Sequence, residues 1–140
     1  MNQAMENFVL SQVNWLSVVV ATLVSFVIGS LWYSPLLFGK IWQAELKLSD
    51  EEIGKSNMPL IFVSSFVLSF IGALFLDMLI GEDASTVFGF LTGLIVGLAW
   101  IATSFGTNYL FARRSFKLYL IDAGYFVVFF PIMGVILGAW

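Results

Sequence analysis

An acidic residue stands inside the last apolar stretch of this chain, where Asp122 lies five residues beyond Lys117. A carboxylate costs about 2.5–3.5 kcal/mol at the centre of a bilayer and less near its surface, so it normally faces protein or water and has a partner. Tyr125 lies three residues further along, on the same face of a helix. A carboxyl and a phenol so placed could bind a proton or a small ligand.

Other polar side chains are predicted to lie at the same depth as Asp122. One interpretation is a polar pocket open to the cytoplasm, built from Asp122, Tyr125, Asn108, Thr107, Tyr33 and Arg113. The alternative is a structural ion pair between Asp122 and either Arg113 or Arg114 that locks the last hairpin. The residue types alone leave both interpretations open.

The composition excludes several kinds of chemistry. The chain has no cysteine and no histidine, which removes disulfides, thiolate or imidazole metal sites and Cys- or His-based nucleophiles. No lysine lies inside an apolar run, no two carboxylates share a helical spacing there, and no glycine-rich phosphate loop follows a strand. We therefore predict no catalytic residue, no metal, no cofactor and no nucleic-acid partner, and we do not expect an enzyme.

Four apolar runs account for most of the 140 residues and must position these side chains. They cover Asn14–Trp32, Pro59–Ile80, Thr86–Leu110 and Leu118–Trp140. Each holds about 20 residues, and a helix of that length spans the roughly 30 Å hydrocarbon core. The sequence predicts an all-α, four-transmembrane-helix bundle forming one integral membrane domain over residues 1–140.

The basic residues predict how the bundle is oriented. All six lie in the two connections on one side, as Lys40, Lys47, Lys55, Arg113, Arg114 and Lys117. The positive-inside rule places this side in the cytoplasm and both termini outside. A multi-pass protein of the cell membrane is therefore expected, with the lipid bilayer as its first partner.

The long connection between the first two spans has structure of its own in this prediction. Apolar residues recur with a loosely helical spacing over Leu36–Leu46, which indicates a short amphipathic helix on the cytoplasmic membrane surface. Ser49 followed by Glu52 is typical of a capping box, so a short polar helix should begin there. Asn14 is expected to cap the first span.

Small residues recur at helical spacing along the spans. Glycines lie four residues apart at Gly89, Gly93 and Gly97 on the third span and at Gly134 and Gly138 on the fourth. Small residues allow helix backbones to approach closely in lipid. We favour packing inside one bundle, and the alternative is that Gly89, Gly93 and Gly97 mediate self-association into a homo-oligomer.

Two segments carry a family resemblance. One runs Gly-Ser-Leu-Trp-Tyr-Ser-Pro-Leu-Leu-Phe-Gly-Lys over residues 29–40, and the other includes Thr-Asn-Tyr-Leu-Phe at 107–111 and Leu-Ile-Asp-Ala-Gly-Tyr at 120–125. Together they resemble the bacterial membrane family known as domain of unknown function 1761, and the resemblance covers nearly the whole chain. It implies a small multi-span membrane protein and no established activity. Similar members often carry an acidic residue where this sequence has Ala112.

Two functions are compatible with these features. The first is a small transport or channel-like oligomer with its polar site near Asp122. The second is a structural or accessory protein that binds another membrane protein or a lipid, as the amphipathic segment and basic turn indicate. An intramembrane enzyme requires the most assumptions.

Overall fold

The computed structural model describes residues 10–140 of the chain. The first nine residues, and with them part of the N-terminal segment predicted to lie outside, are beyond the described residues. Four helices are long and apolar enough to cross a membrane, and no strand occurs over residues 10–140. The predicted all-α membrane fold with four spanning helices is confirmed.

The helices follow one another along the chain with short connections. A 3-10 turn at Leu10–Gln12 precedes α1 (Trp15–Trp32), which is followed by α2 (Gly39–Leu46), α3 (Asp50–Gly54) and α4 (Met58–Ile80). The third span, Thr86–Phe111, consists of α5 (Thr86–Ile95), a π-helical segment (Val96–Ala102) and α6 (Thr103–Phe111). The fourth span is α7 (Phe116–Ala139).

Local side-chain caps define where the helices begin. At the start of each span the side chain of Asn14, Asn57, Ser85 or Ser115 accepts a hydrogen bond from a backbone N–H of the first turn. Such a cap satisfies a donor that has no partner within the helix. The predicted capping box is present too, because Ser49 and Glu52 exchange both of its hydrogen bonds.

A tight turn separates α1 from the amphipathic helix α2. The N–H groups of Phe38 and Gly39 donate to the carbonyls of Trp32 and Ser34, so the chain folds back at once after α1. A Cβ at position 39 would overlap the backbone of Tyr33 and Ser34, which only glycine avoids. The helix therefore starts at Gly39, three residues later than the predicted Leu36.

The third and fourth spans are in direct backbone contact. A Cβ added at Gly89 would meet the carbonyl oxygen of Gly134, and one at Gly93 would meet that of Phe130. A Cβ at Gly138 would lie 2.7 Å from the carbonyl oxygen of Ser85. The favoured prediction of packing inside the bundle is confirmed. α7 of the same chain covers Gly89, Gly93 and Gly97, and self-association into a homo-oligomer stays a prediction.

The bundle is unevenly packed along its length. We call the end that carries residues 33–58 and 112–116 the basic end, and the end with residues 81–85 and Trp140 the acidic end. The buried core clusters toward the acidic end, where Val18, Leu76, Met133 and Leu137 pack together. α4 is the least buried span. In its most apolar stretch of 18 residues, 11% of the residues are buried, compared with 50% in α7.

Candidate functional site

Asp122 is held by two phenols from two other spans. The Tyr33 hydroxyl donates to Oδ1 at 2.8 Å and the Tyr109 hydroxyl donates to Oδ2 at 2.5 Å. Asp122 is only 8% exposed. Both carboxylate oxygens therefore have a donor, as a buried polar group requires.

The three residues reach one another because each stands near the basic end of its span. Tyr33 directly follows α1, Tyr109 lies in the last turn of α6, and Asp122 lies in the second turn of α7. We call Tyr33, Tyr109 and Asp122 the carboxyl–phenol cluster. It joins three spans, because Asp122 is 13 residues from Tyr109 and 89 residues from Tyr33 in the sequence.

Neighbouring bonds fix α1 against α7. The Trp32 indole N–H donates to the Ile121 carbonyl at 2.9 Å, and the Tyr125 hydroxyl donates to the Ser25 carbonyl at 3.1 Å. The rings of Tyr33 and Tyr125 lie 5.6 Å apart between centroids. Tyr125 is thus close to the carboxyl–phenol cluster, as predicted, but it bonds to α1 backbone and not to Asp122.

The alternative interpretation paired Asp122 with Arg113 or Arg114. Over residues 10–140, Asp122 forms no ion pair with Arg113 or Arg114, both of which are exposed, because two phenols already satisfy its oxygens. The ionic contact at this hairpin belongs to Glu45 of α2, which pairs with Lys117 at 3.6 Å and accepts a hydrogen bond from the Ser115 hydroxyl. The last hairpin is therefore tied to the amphipathic helix.

Two further residues of the predicted pocket lie elsewhere. Thr107 and Asn108 are exposed and line a shallow depression with Ser104, Phe111 and Ala112. Successive helical residues are about 100° apart, so these two side chains cannot share the inward face that Tyr109 occupies. Of the six predicted site residues, the structure brings together Asp122, Tyr33 and Tyr125.

Tyr109 is the member of the cluster that sequence analysis missed. As a tyrosine near the end of a span, it matches the preference of tyrosine for the membrane interface. Its position relative to Asp122 depends on the π-helical segment before it, which adds a wider turn to the third span. The hydroxyls of Thr103 and Ser104 bond to the carbonyls of Ala99 and Trp100 and accommodate the return to α-helix.

A groove opens beside the carboxyl–phenol cluster, between α1 and α4 with α7 as its floor. Its volume is about 690 Å³. Aromatic and aliphatic side chains dominate the lining, and the hydroxyl-bearing residues are Ser25, Ser30, Tyr33, Ser65, Ser69 and Tyr125. Tyr33 belongs both to this groove and to the carboxyl–phenol cluster, so the two features meet at the basic end.

The acidic end holds a separate, polar recess of about 760 Å³ lined in part by Asp77, Glu82 and Asp83. Asp77 accepts a hydrogen bond from the backbone N–H of Asn14 at 3.3 Å, which ties the start of α1 to α4. Across the part of the chain that the structure describes, no three His, Cys, Asp or Glu side chains are arranged to hold a metal ion.

Comparison with known proteins identifies one family. The family described as a protein of unknown function (DUF1761) matches residues 16–138, nearly the whole chain. No curated protein and no solved structure matches the chain.

Proposed function

Because the chain belongs to the DUF1761 family, whose function is unknown, we propose a function from its geometry: an accessory membrane protein that binds a lipid between its helices. The protein would reside in the cell membrane with its basic end toward the cytoplasm. The observation that carries the proposal is the groove of about 690 Å³ between α1, α4 and α7. Sites for small ligands in proteins have volumes of about 300–1,000 Å³ and are mostly apolar with a few polar groups.

The groove's position favours a lipid over a water-soluble ligand. α4 contributes Ile61, Phe62 and Leu68 to the lining, and these side chains remain 46%, 52% and 69% exposed. Exposed apolar side chains on a spanning helix face hydrocarbon, so the groove opens sideways into the bilayer. A molecule that enters it would come from the membrane.

Lipid retention tests the proposal. The chain is purified in mild detergent, washed with excess detergent, and examined by native mass spectrometry and by thermal unfolding before and after lipid is returned. We expect one retained lipid per chain and a higher midpoint on lipid return, since a ligand at 100 times its Kd stabilises by about 2.7 kcal/mol. A chain that carries no lipid and gains no stability would contradict the proposal.

A second candidate is transport, as a channel-like homo-oligomer that uses Asp122. It is favoured by a carboxyl group inside a spanning helix whose partners over residues 10–140 are phenols and not cations. Ionisable residues in spans often belong to proton or ion paths. Any assembly would use faces other than Gly89, Gly93 and Gly97, which pack on α7.

Flux measurements separate this candidate from lipid binding. Proteoliposomes containing the wild type or Asp122→Asn are compared with empty vesicles for movement of protons, cations and small metabolites. Transport predicts a flux that the substitution lowers. Rates equal to those of empty vesicles would remove the transport candidate and leave lipid binding in place. Cross-linking in native membranes would show whether a second copy or another membrane protein is the partner.

A further inference from the structure

We propose that the groove binds one acyl chain of a membrane phospholipid from the leaflet at the basic end, with the polar head beside Ser30 and Tyr33. The inference rests on the proposed lipid binding and names its ligand. It follows from the dimensions of the groove, its depth in the bilayer and the placement of its hydroxyl groups.

The width of the groove selects a hydrocarbon chain over a helix. Along α4 the lining runs from Met58 to Gly72, a distance of about 21 Å at about 1.5 Å per residue. Measured out to the surfaces of the lining atoms, the empty space is about 1470 Å³, and over that length it has a cross-section of about 70 Å² even with its open surroundings included. A helix about 10–12 Å wide has a cross-section of roughly 80–110 Å², so a helix of a partner chain does not fit inside.

The groove extends through one leaflet and ends past the middle of the bilayer. The groove begins at Met58, the first residue of α4, and its lining ends at Gly72, about two thirds of the way along this span. The hydrocarbon core is about 30 Å thick, so a leaflet contributes roughly 15 Å and the groove ends just past the middle of the bilayer. Beyond Gly72, Ala73 and Leu76 are fully buried in the core that closes the bundle toward the acidic end.

The hydroxyl groups indicate which end of the ligand is polar. Ser30 and Tyr33 stand at the basic end of the lining, and Phe129, Phe130 and Gly72 form its deep end. Four further hydroxyl-bearing residues lie between the two ends, at Ser25, Ser65, Ser69 and Tyr125. Ser30 is exposed, and the Tyr33 hydroxyl donates to Asp122 and keeps its oxygen lone pairs as acceptors. A head group with both donor and acceptor atoms therefore fits at the basic end, and an apolar chain end fits at the deep end.

Two adjacent serines on α4 offer a matched pair of variants. Ser65 lines the groove, whereas Ser64 is exposed and is not part of the lining. Ser65→Leu places a branched apolar side chain in the groove, and Ser64→Leu makes the same chemical change on the lipid-facing side. Leucine is well tolerated in a spanning helix at both positions. A difference in lipid labelling between the two variants therefore reports on the groove.

Photolabelling with a defined lipid tests the inference. The chain is placed in nanodiscs of phosphatidylcholine that carries a diazirine on one acyl chain, irradiated, and mapped by mass spectrometry. In the wild type we expect label on Phe129, which is 3% exposed, in excess of label on Leu79, which is 46% exposed and outside the groove. Ser65→Leu should cause a loss of the Phe129 label because its side chain takes up space that the acyl chain would fill, and Ser64→Leu should leave the label unchanged.

Several outcomes would overturn the inference. These are label that follows exposure alone and label that Ser65→Leu does not lower. If Ser65→Leu does not fold, the wild-type ratio of Phe129 to Leu79 label decides the question. A retained lipid together with an unlabelled groove would leave lipid binding standing and remove only this site, whereas loss of both would remove the proposed function as well.

Discussion

Two glycines that face α7, Gly93 on α5 and Gly72 on α4, predict opposite effects when each is replaced by alanine. At Gly93 an added Cβ would overlap the Phe130 carbonyl oxygen and lie 2.9 Å from the Cα of Pro131. At Gly72 the only atom it would meet within 4 Å is the ring tip of Phe130 at 3.8 Å, an ordinary contact distance. The same chemical change is therefore a clash at one position and harmless at the other.

The size of each effect follows from these distances. Alanine is better than glycine inside a helix by about 0.8–1.0 kcal/mol, and this gain applies at both positions. Overpacking a tight contact costs about 1–3 kcal/mol, and the upper end applies at Gly93 because the opposing atoms are backbone and cannot rotate away. We expect Gly93→Ala to lower the free energy of unfolding by about 2 kcal/mol and Gly72→Ala to raise it by up to about 1 kcal/mol.

Unfolding of both variants in mixed micelles, followed by circular dichroism and tryptophan fluorescence, measures the difference. A change of 1 kcal/mol moves the midpoint by about 2–4 °C for a chain somewhat longer than this one, so the variants should differ by roughly 6–12 °C. Size measurement of Gly93→Leu in detergent provides a control, because a contact inside one protomer predicts lost stability with no change of assembly. Equal midpoints for the two alanine variants would show that α5 and α7 do not meet at Gly93.

Three further predictions concern the carboxyl–phenol cluster, the connection between α1 and α4, and the orientation. Tyr109→Phe should cost about 1–3 kcal/mol of unfolding free energy because it leaves an oxygen of the buried Asp122 carboxyl without its donor, whereas Tyr119→Phe, which loses a bond to a backbone carbonyl, should cost about 0.5–1.5 kcal/mol; equal losses would contradict the greater cost at the buried carboxyl. The pKa of Glu52 lies below its usual range because the backbone N–H of Ser49, and after it the Ser49 side chain, stabilise the ionised carboxylate. Helix α3 should therefore be stable above the ordinary glutamate pKa and fray as the pH falls through the lowered pKa. The expected signature is weaker protection of the α3 amides at low pH in the wild type, measured relative to the intrinsic exchange rate at each pH, and a protection that does not depend on pH in Glu52→Gln; wild-type protection that does not change with pH would contradict it. A cysteine at position Asp83 should react with an impermeant reagent from outside the cell and one at Lys47 should not, and the reverse pattern would overturn the predicted orientation.

Hydropathy, spacing and local caps were sufficient to predict the helices of this protein. The hydropathy of a run of about 20 residues decides by itself whether that run crosses a bilayer, since each backbone group must be satisfied within its own helix. The caps at Asn14 and Ser49 were equally predictable because their partners lie three residues away. These features depend on sequence neighbours alone.

The tertiary structure decided how each helix is rotated and which helix it meets. From the sequence, Asp122 could pair with an arginine of the adjacent turn, but in the fold it meets Tyr33, 89 residues away, and Tyr109, 13 residues away and on a helix that follows a π-helical segment. The glycines of the third span were identified as contact residues, yet only the packed bundle shows that their partner is α7 of the same chain. The groove was not predictable at all, because it arises where α1 and α4 are not packed closely together. Contacts between spans depend on the rotation and tilt of whole helices, which follow from the sum of many weak contacts over all four, so no local pattern of residues encodes them.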